Sequence, residues 1–322
     1  MANPTINDVQ AVEPILTNLL VGYKQSDSRF VASRVFPAVT VDKDSGTYYI
    51  FTKKYWFTDE MERRAPGQQY ARAEFGIETS TYKTDQWALS YPIADETRAN
   101  SQVPMDLEQV ATRWLAQKSL LRKERQFAAD WMITGVWGST ASGSSTAGAA
   151  NYKWDNASSD PVKDIQLCKR TISNDTGVDA NAMVLGYIVH TRLTNHPDIL
   201  DRIKYTTQAN QGNVESALGA LFGVSNYLVA KATYANINEA DDFASTAIID
   251  DDCLVTYIAS NPGLFEPSAG YTFNWAPGGG TGVIKPVFRD EANDSDLIKT
   301  KEQWDQKAVA TDLGYMLLDI CD

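Results

Sequence analysis

The side chains that most often carry enzyme chemistry are sparse and poorly spaced in this sequence. Its 322 residues include two histidines, His190 and His196, neither in a zinc-protease pattern. Each reads as a packing or turn residue. Cys168, Cys253 and Cys321 show no pair at metal-ligand spacing and no disulfide framework, which fits a reducing compartment. Serine and aspartate are plentiful, but no Gly-x-Ser-x-Gly elbow singles out a nucleophile. Gly278-Gly279-Gly280-Thr281-Gly282 lacks the Gly-Lys-Ser/Thr ending of a phosphate loop, and Pro286 would break a helix starting there, so a turn is expected. Acidic groups cluster at Asp241-Asp242, at Asp250-Asp251-Asp252 and from Asp290 to Asp296. The last alternates like a calcium loop without its central glycine or closing glutamate, and solvated turns are expected. No constellation commits the chain to catalysis, a metal or a cofactor.

Aromatic residues are the conspicuous resource instead, with 15 Tyr and 8 Trp. Their densest run, Thr47 to Phe57, is rich in strand-favouring types. Tyr49, Phe51, Tyr55 and Phe57 fall on one face; Tyr48, Ile50 and Trp56 fall on the other. Next comes a polar stretch with Arg63, Arg64, Pro66, Gly67, Tyr70 and Arg72. The alternation resumes with Phe75, Ile77, Thr79 and Thr81 against Glu78, Ser80 and Tyr82. This predicts a hairpin with a long tip, whose ten-residue arms would reach roughly 33 Å. A two-stranded ribbon cannot bury both faces against itself. Either this chain's own core covers it, or a neighbouring subunit does. In the second case the contact residues are Tyr49, Phe51, Tyr55, Trp56, Arg63, Arg64, Tyr70 and Arg72.

The surrounding elements are legible from period and punctuation. Before the hairpin, Ile15, Leu16, Leu19, Leu20 and Tyr23 could line a short helix after Pro14, and Ser33 to Pro37 reads as extended chain. After it, Trp87, Leu89, Tyr91 and Ile93 predict a strand over 86–94. Asp106 opens a long helix, with Leu107, Val110, Trp114, Leu121, Ala128, Trp131 and Met132 at helical spacing to about Trp137. Its basic cluster of Arg113, Lys118, Arg122, Lys123 and Arg125 around Glu124 reads as a solvated face with local salt bridges, the alternative being a stripe that faces an acidic neighbour. Residues 138–150 read as a flexible Gly/Ser linker and the clearest boundary. Asp160-Pro161 opens another helix, with Val162, Ile165, Cys168 and Ile172 on its buried side. Ala182 to Val189 predicts a buried strand, Asn195 to Ile203 a step between helices, and Ala217 to Phe222 a helix stopped by Gly223. Further strands are predicted at Tyr227–Ala230, Cys253–Ile258, Tyr271–Trp275, Val283–Phe288, Lys299–Trp304 and Val309–Leu318. Helix and strand in this order indicate an α+β layer.

The formal net charge of -12 argues against duplex nucleic acid as a partner. No run approaches the roughly 18 apolar residues of a membrane span. Met1-Ala2-Asn3-Pro4 has neither a basic region nor an apolar run, so no secretory signal is expected.

An arm, an extended strand-rich loop, a lone long helix, a Gly/Ser joint, a mixed domain and closing strands occur in that order. This order resembles the major capsid proteins of tailed bacteriophages, the HK-ninety-seven-like fold. Local wording is similar too: Trp87 to Glu96 with Tyr91-Pro92-Ile93 and Asp95-Glu96, His196 to Tyr205, and Leu221-Phe222-Gly223-Val224 before Tyr227-Leu228-Val229. The resemblance spans about Ser33 to the end. It implies an N-terminal arm over 1–45 and an extended loop over 46–85. It further implies a peripheral domain with a spine helix over 86–150 and 286–322, and an axial domain over 151–285. The implied function is a structural subunit that self-assembles as hexamers and pentamers into an icosahedral shell around the phage genome. It would be assembled in the host cytoplasm and reside in the virion, with a portal beside it and room for a decoration protein. No long charged helical N-terminal extension is present, so a separate scaffolding protein or a removed pro-segment is implied. No motif places a lysine–asparagine cross-link, and Lys53 and Lys54 stay unassigned. The alternatives are an encapsulin-like cellular compartment of the same fold, or a cytosolic enzyme with an unrecognised site.

Overall fold

The computed structural model describes residues 25–51, 53–74, 76–99, 107–146, 152–204, 214–235, 244–261, 267–278 and 283–322. The helix expected near Ile15 to Tyr23, Phe75, the Asp106 cap, Tyr205, Asp241-Asp242 and Gly279 to Gly282 lie outside them.

The strands in chain order begin with β1 (Ala38–Val41), β2 (Ser45–Phe51), β3 (Ile77–Lys83), β4 (Asp85–Ala94), β5 (Ser139–Ser142), β6 (Ala182–Gly186) and β7 (Asn226–Ala230). They continue with β8 (Thr233–Ala235), β9 (Ser245–Ala247), β10 (Cys253–Thr256), β11 (Gly270–Trp275), β12 (Val283–Asp290), β13 (Ser295–Ala308) and β14 (Gly314–Leu318). One five-stranded sheet runs β1-β11-β13-β12, with β4 also paired to β13; a second runs β5-β14-β10-β6-β7. Both mix parallel and antiparallel pairs, which separates them from the all-parallel sheet of a strictly alternating α/β fold.

β13 organises the first sheet. Its register with β4 runs from Ser295 opposite Ala94 to Trp304 opposite Asp85. The long helix Leu107–Trp131 lies over this pair, and Ala111 and Leu115 close a small core with Ile93 and Ile298. The main core surrounds the second sheet, whose β6 and β10 are buried throughout. Pro161–Thr176 packs there with Val162, Ile165, Cys168 and Ile172 buried, as their spacing predicts. Asp160 accepts from the Lys163 N–H and caps that helix, and Gly177 ends it in the left-handed region at φ 69°.

Several elements depart from the sequence expectation. The first hairpin arm stops at Phe51, and Lys53–Phe57 forms a helical turn where strand was expected. Strand propensity there has no partner to act on, so the backbone closes local bonds instead. The paired ribbon is therefore seven residues, about 23 Å by its rise. The long helix ends at Trp131, not near Trp137. Gly135 turns the chain at φ 82°, and the Trp137 indole donates to the Trp131 carbonyl. Its buried face is Ala111, Leu115, Glu124 and Phe127; Val110 and Trp114 are exposed beside it.

The described part of the Gly/Ser stretch is no loose joint. Ser139–Ser142 is β5, paired in parallel with β14. Small residues permit this approach: a Cβ on Gly143 would lie 2.0 Å from the Asp319 carbonyl oxygen. The strand expected over Ala182–Val189 ends at Gly186, where helix Tyr187–Asn195 begins. The two closing strands separate, β13 into the first sheet and β14 into the second, with a short 3-10 turn, Thr311–Leu313, between them.

The basic cluster is also more engaged than a solvated face. Lys123 pairs with Glu302 at 2.9 Å, both largely buried. The Arg122 guanidinium lies 4.0 Å from the Trp87 ring centre, and Arg125 lies over Tyr234. The helix lies across a sheet, so half its circumference faces protein whatever its charge. Arg113 and Lys118 do stay exposed.

Gly186 shows how tightly the second sheet meets its connections. A Cβ there would sit 1.6 Å from the Asp250 carbonyl oxygen, a backbone atom with nowhere to move. Gly186→Ala is expected to cost roughly 2 kcal/mol or more by overpacking. A thermal melt checks this, and an unchanged midpoint would contradict the close approach.

Candidate assembly interface

The hairpin is rooted in its own subunit and bare beyond the root. Tyr48 and Tyr82, neighbours on one face, stack on Phe273 of β11 at centroid distances of 5.6 Å and 4.6 Å. Thr84 closes the base, its N–H and hydroxyl both donating to the Asp44 carbonyl. The Lys83 N–H donates to the Asp305 carboxylate, whose pKa is raised by burial against the pull of that bond. The opposite face points outward, and Tyr49 is 63% exposed. So the ribbon is half sheltered: the chain's own core takes one face and leaves the other.

Past Phe51, Lys53 makes an ion pair with Asp312 at 2.6 Å. Phe57 lies beside Gly177, where an added Cβ would meet its ring at 3.3 Å. Tyr55 lies against Gly76. Residues 53–74 are nevertheless exposed throughout, with Trp56 at 67% and Met61 at 94%. At the tip the Arg64 guanidinium stacks 4.0 Å from the centre of the exposed Tyr70 ring and donates to the Gln68 carbonyl. Arg63 and Arg72 are exposed. The structure thus gathers Tyr55, Trp56, Arg63, Arg64, Tyr70 and Arg72 on one projecting segment, with Tyr49 on the ribbon that carries it. Phe51 closes the strand opposite Ile77.

A second surface escaped the sequence reading. Leu89 and Tyr91 of β4 and Val110 and Trp114 of the long helix are all exposed, and the Tyr91 and Trp114 rings meet edge to face at 5.7 Å. The available signal was the one-residue offset of Val110 and Trp114 from Ala111 and Leu115, which face the core.

Among the described residues the histidines, the cysteines and the acidic run at Asp290 to Asp296 are engaged in structure. His196 is buried against Ser159, at 3.1 Å from its hydroxyl, and His190 lies 3.0 Å from the Tyr227 hydroxyl. The three cysteines are buried and unpaired, and burial pushes the Cys168 and Cys321 thiols up to about 12. Asp294 and Asp296, from the calcium-like run, converge with Asp95 on Arg289. What the surface offers is aromatic area with scattered charge, which is the chemistry of protein contact.

No protein-family model matches the chain. The major capsid protein of Burkholderia phage BcepMu is 27% identical over 321 residues, covering 98% of each chain. Over nearly its whole length the chain is similar to a tailed-phage major capsid protein. Solved structures agree on the fold of this capsid subunit. A phage-related protein from Bordetella bronchiseptica RB50 superposes with a TM-score of 0.70 at 22% identity, covering 93% of this chain and 94% of that one. The capsid of a native GTA particle gives 0.60 at 14% identity, with 98% and 99% covered. Microbacterium phage Oxtober96 gives 0.61 at 12% identity with the same coverage. The subunit is a structural component of the virion and builds its icosahedral shell.

Proposed function

We propose that the capsid subunit assembles as hexamers and pentamers through its extended loop, which lies on a neighbouring subunit. The observation that carries this is the exposed segment 53–74, with Trp56, Met61 and Tyr70 open to water on a lone subunit. Exposed apolar area of this density marks a contact surface. Burial of about 1,000 Å² or more per contact, repeated around a ring, gives stable association from individually weak contacts. Tyr49, Phe51, Tyr55, Trp56, Tyr70 and the tip arginines Arg63, Arg64 and Arg72 form the contact, the arginines meeting acidic groups on the neighbour. Rim charges of this kind set register more than affinity.

The role is structural and uses no cofactor. Assembly takes place in the host cytoplasm with a scaffolding protein and a portal, and the outer face is open to a decoration protein. The pairing of strands supports a division into a peripheral part built on the β13 sheet and an axial part built on the β10 sheet. On that division Gly270–Trp275 goes with the peripheral sheet, although it falls within the 151–285 axial range read from the sequence.

Size-exclusion chromatography with negative-stain microscopy of the purified protein tests the reading. Hollow particles tens of nanometres across are the expected result. A stable monomer or dimer that turns over a substrate would overturn it.

A further inference from the structure

We propose that the cavity between the long helix and the β4–β13 pair is a binding site for a small apolar carboxylate, held by its carboxyl group. The cavity has a volume of about 210 Å³, and Trp87, Leu89, Leu115, Arg122, Glu302 and Trp304 stand on its wall. It lies within one subunit, so the site does not depend on which surfaces meet in the shell.

The wall carries hydrogen-bond donors that the protein does not use. The indole N–H groups of Trp87 and Trp304 and the Nε–H of Arg122 are shielded from solvent and meet no acceptor among the described residues. Buried donors are nearly always satisfied, so three on one wall mark it as built for an acceptor. Glu302, the acid on the same wall, is already committed. One of its oxygens takes the Ser119 hydroxyl, and the other pairs with Lys123 at 2.9 Å. The donors are also held in place. Arg122 donates through Nη2 to Gln126 at 2.5 Å, and its guanidinium carbon lies 4.0 Å from the Trp87 ring centre. Trp87 stacks in turn on Trp304 at 5.6 Å, so little ordering is left for a ligand to impose.

These groups specify the ligand. Three N–H donors call for an acceptor with several lone pairs, and an ionised carboxylate offers about four acceptor sites. Charge agrees. Arg122 and Lys118 both line the cavity and neither pairs with a carboxylate among the described residues, while Glu302 is balanced by Lys123. Burial and then the neighbouring Arg125 disfavour the Arg122 charge, with Asp130 offsetting them only in part, and a bound anion would relieve both. The rest of the wall is apolar through Leu89, Leu115 and the indole rings, which suits a hydrocarbon body. A dry cavity of about 150 Å³ admits benzene, so this larger one fits an acid of about nine or ten heavy atoms.

Fluorine NMR of para-fluorobenzoate with the unassembled full-length subunit tests the site. Saturable binding is expected with a Kd of roughly 0.1–1 mM, in keeping with so small a ligand. The cation of the same shape, para-fluorobenzylammonium, should bind at least roughly tenfold more weakly, since it offers no acceptor and meets Arg122 and Lys118. Arg122→Met keeps the apolar stem and should weaken the acid's binding roughly tenfold. Trp304→Phe keeps a ring and drops the N–H, and a loss of roughly fivefold is expected. The comparison of the two probes uses the parent protein, so it stands whether or not a variant folds. Absence of saturable binding up to about 10 mM overturns the proposal, as does a cation bound as tightly as the acid. Unchanged affinity in both variants, with parental melting temperatures, overturns it as well, because the acid would then sit elsewhere.

Discussion

Replacing residues 58–74 with a short Gly-Ser turn yields a folded subunit that no longer forms shells. Particle yield, read by sedimentation and negative stain, is expected to fall by more than roughly tenfold, because multivalent assembly amplifies the loss of one contact per subunit. The subunit itself should barely notice. The side chains removed are exposed throughout, and the ribbon's root stays intact in Tyr48 and Tyr82 on Phe273, Thr84 on Asp44 and Lys53 on Asp312. Exposed segments whose contacts are local contribute little to stability, so the melting temperature should shift by no more than about 2 °C. Particles at parental yield would show that the loop is not an intersubunit element.

The second large effect lies inside one chain. Glu124 is fully buried in the long helix and accepts hydrogen bonds from the Val31 and Ala32 N–H groups, the closest at 2.8 Å. These donors open the short helix Ala32–Val35, so the carboxylate caps it and pins the root of the N-terminal arm to the long helix. Phe36, next along, packs on Phe127 and Trp137 at the same junction. Glu124→Ala leaves two buried donors unmet and opens a void, at a cost of roughly 3–4 kcal/mol. A loss of unfolding free energy below about 1 kcal/mol in a urea titration would contradict that role.

The same residue gives a pH signature. Burial pushes the Glu124 carboxyl up to about 7, against the downward pull of the Ala32 and Val31 N–H groups. Its folded pKa exceeds its unfolded one, so the native state binds the proton more tightly. The associated stability is fully present below about 4.5 and is lost as pH rises through about 7. Melting temperatures across that window should fall more steeply for the parent than for Glu124→Gln. Parallel profiles for the two would rule the coupling out.

Much of the fold was readable where local chemistry and global packing agree. Asp160-Pro161 with four apolar residues at helical spacing could form only a capped, one-sided helix, and that helix is present. The hairpin, the β4 strand and the Gly223 stop were legible for the same reason. Errors arose where a neighbour distant in sequence decides. Ser139–Ser142 has the composition of a linker, yet it is a strand because β14 lies beside it and its glycines admit the approach. Lys53–Phe57 has the composition of a strand, yet it is a helical turn because nothing pairs with it. Composition reports what a segment prefers in isolation, and strands exist only in pairs.

The interface divides along the same line. Residue types alone determined that an aromatic, arginine-tipped ribbon near Tyr49 needs shelter, since no two-stranded ribbon covers both its faces. They could not say which face finds that shelter at home. Only the tertiary structure placed Tyr48 and Tyr82 on Phe273 and left Tyr49 and the 53–74 segment in water, because burial is set by what the chain brings alongside a residue.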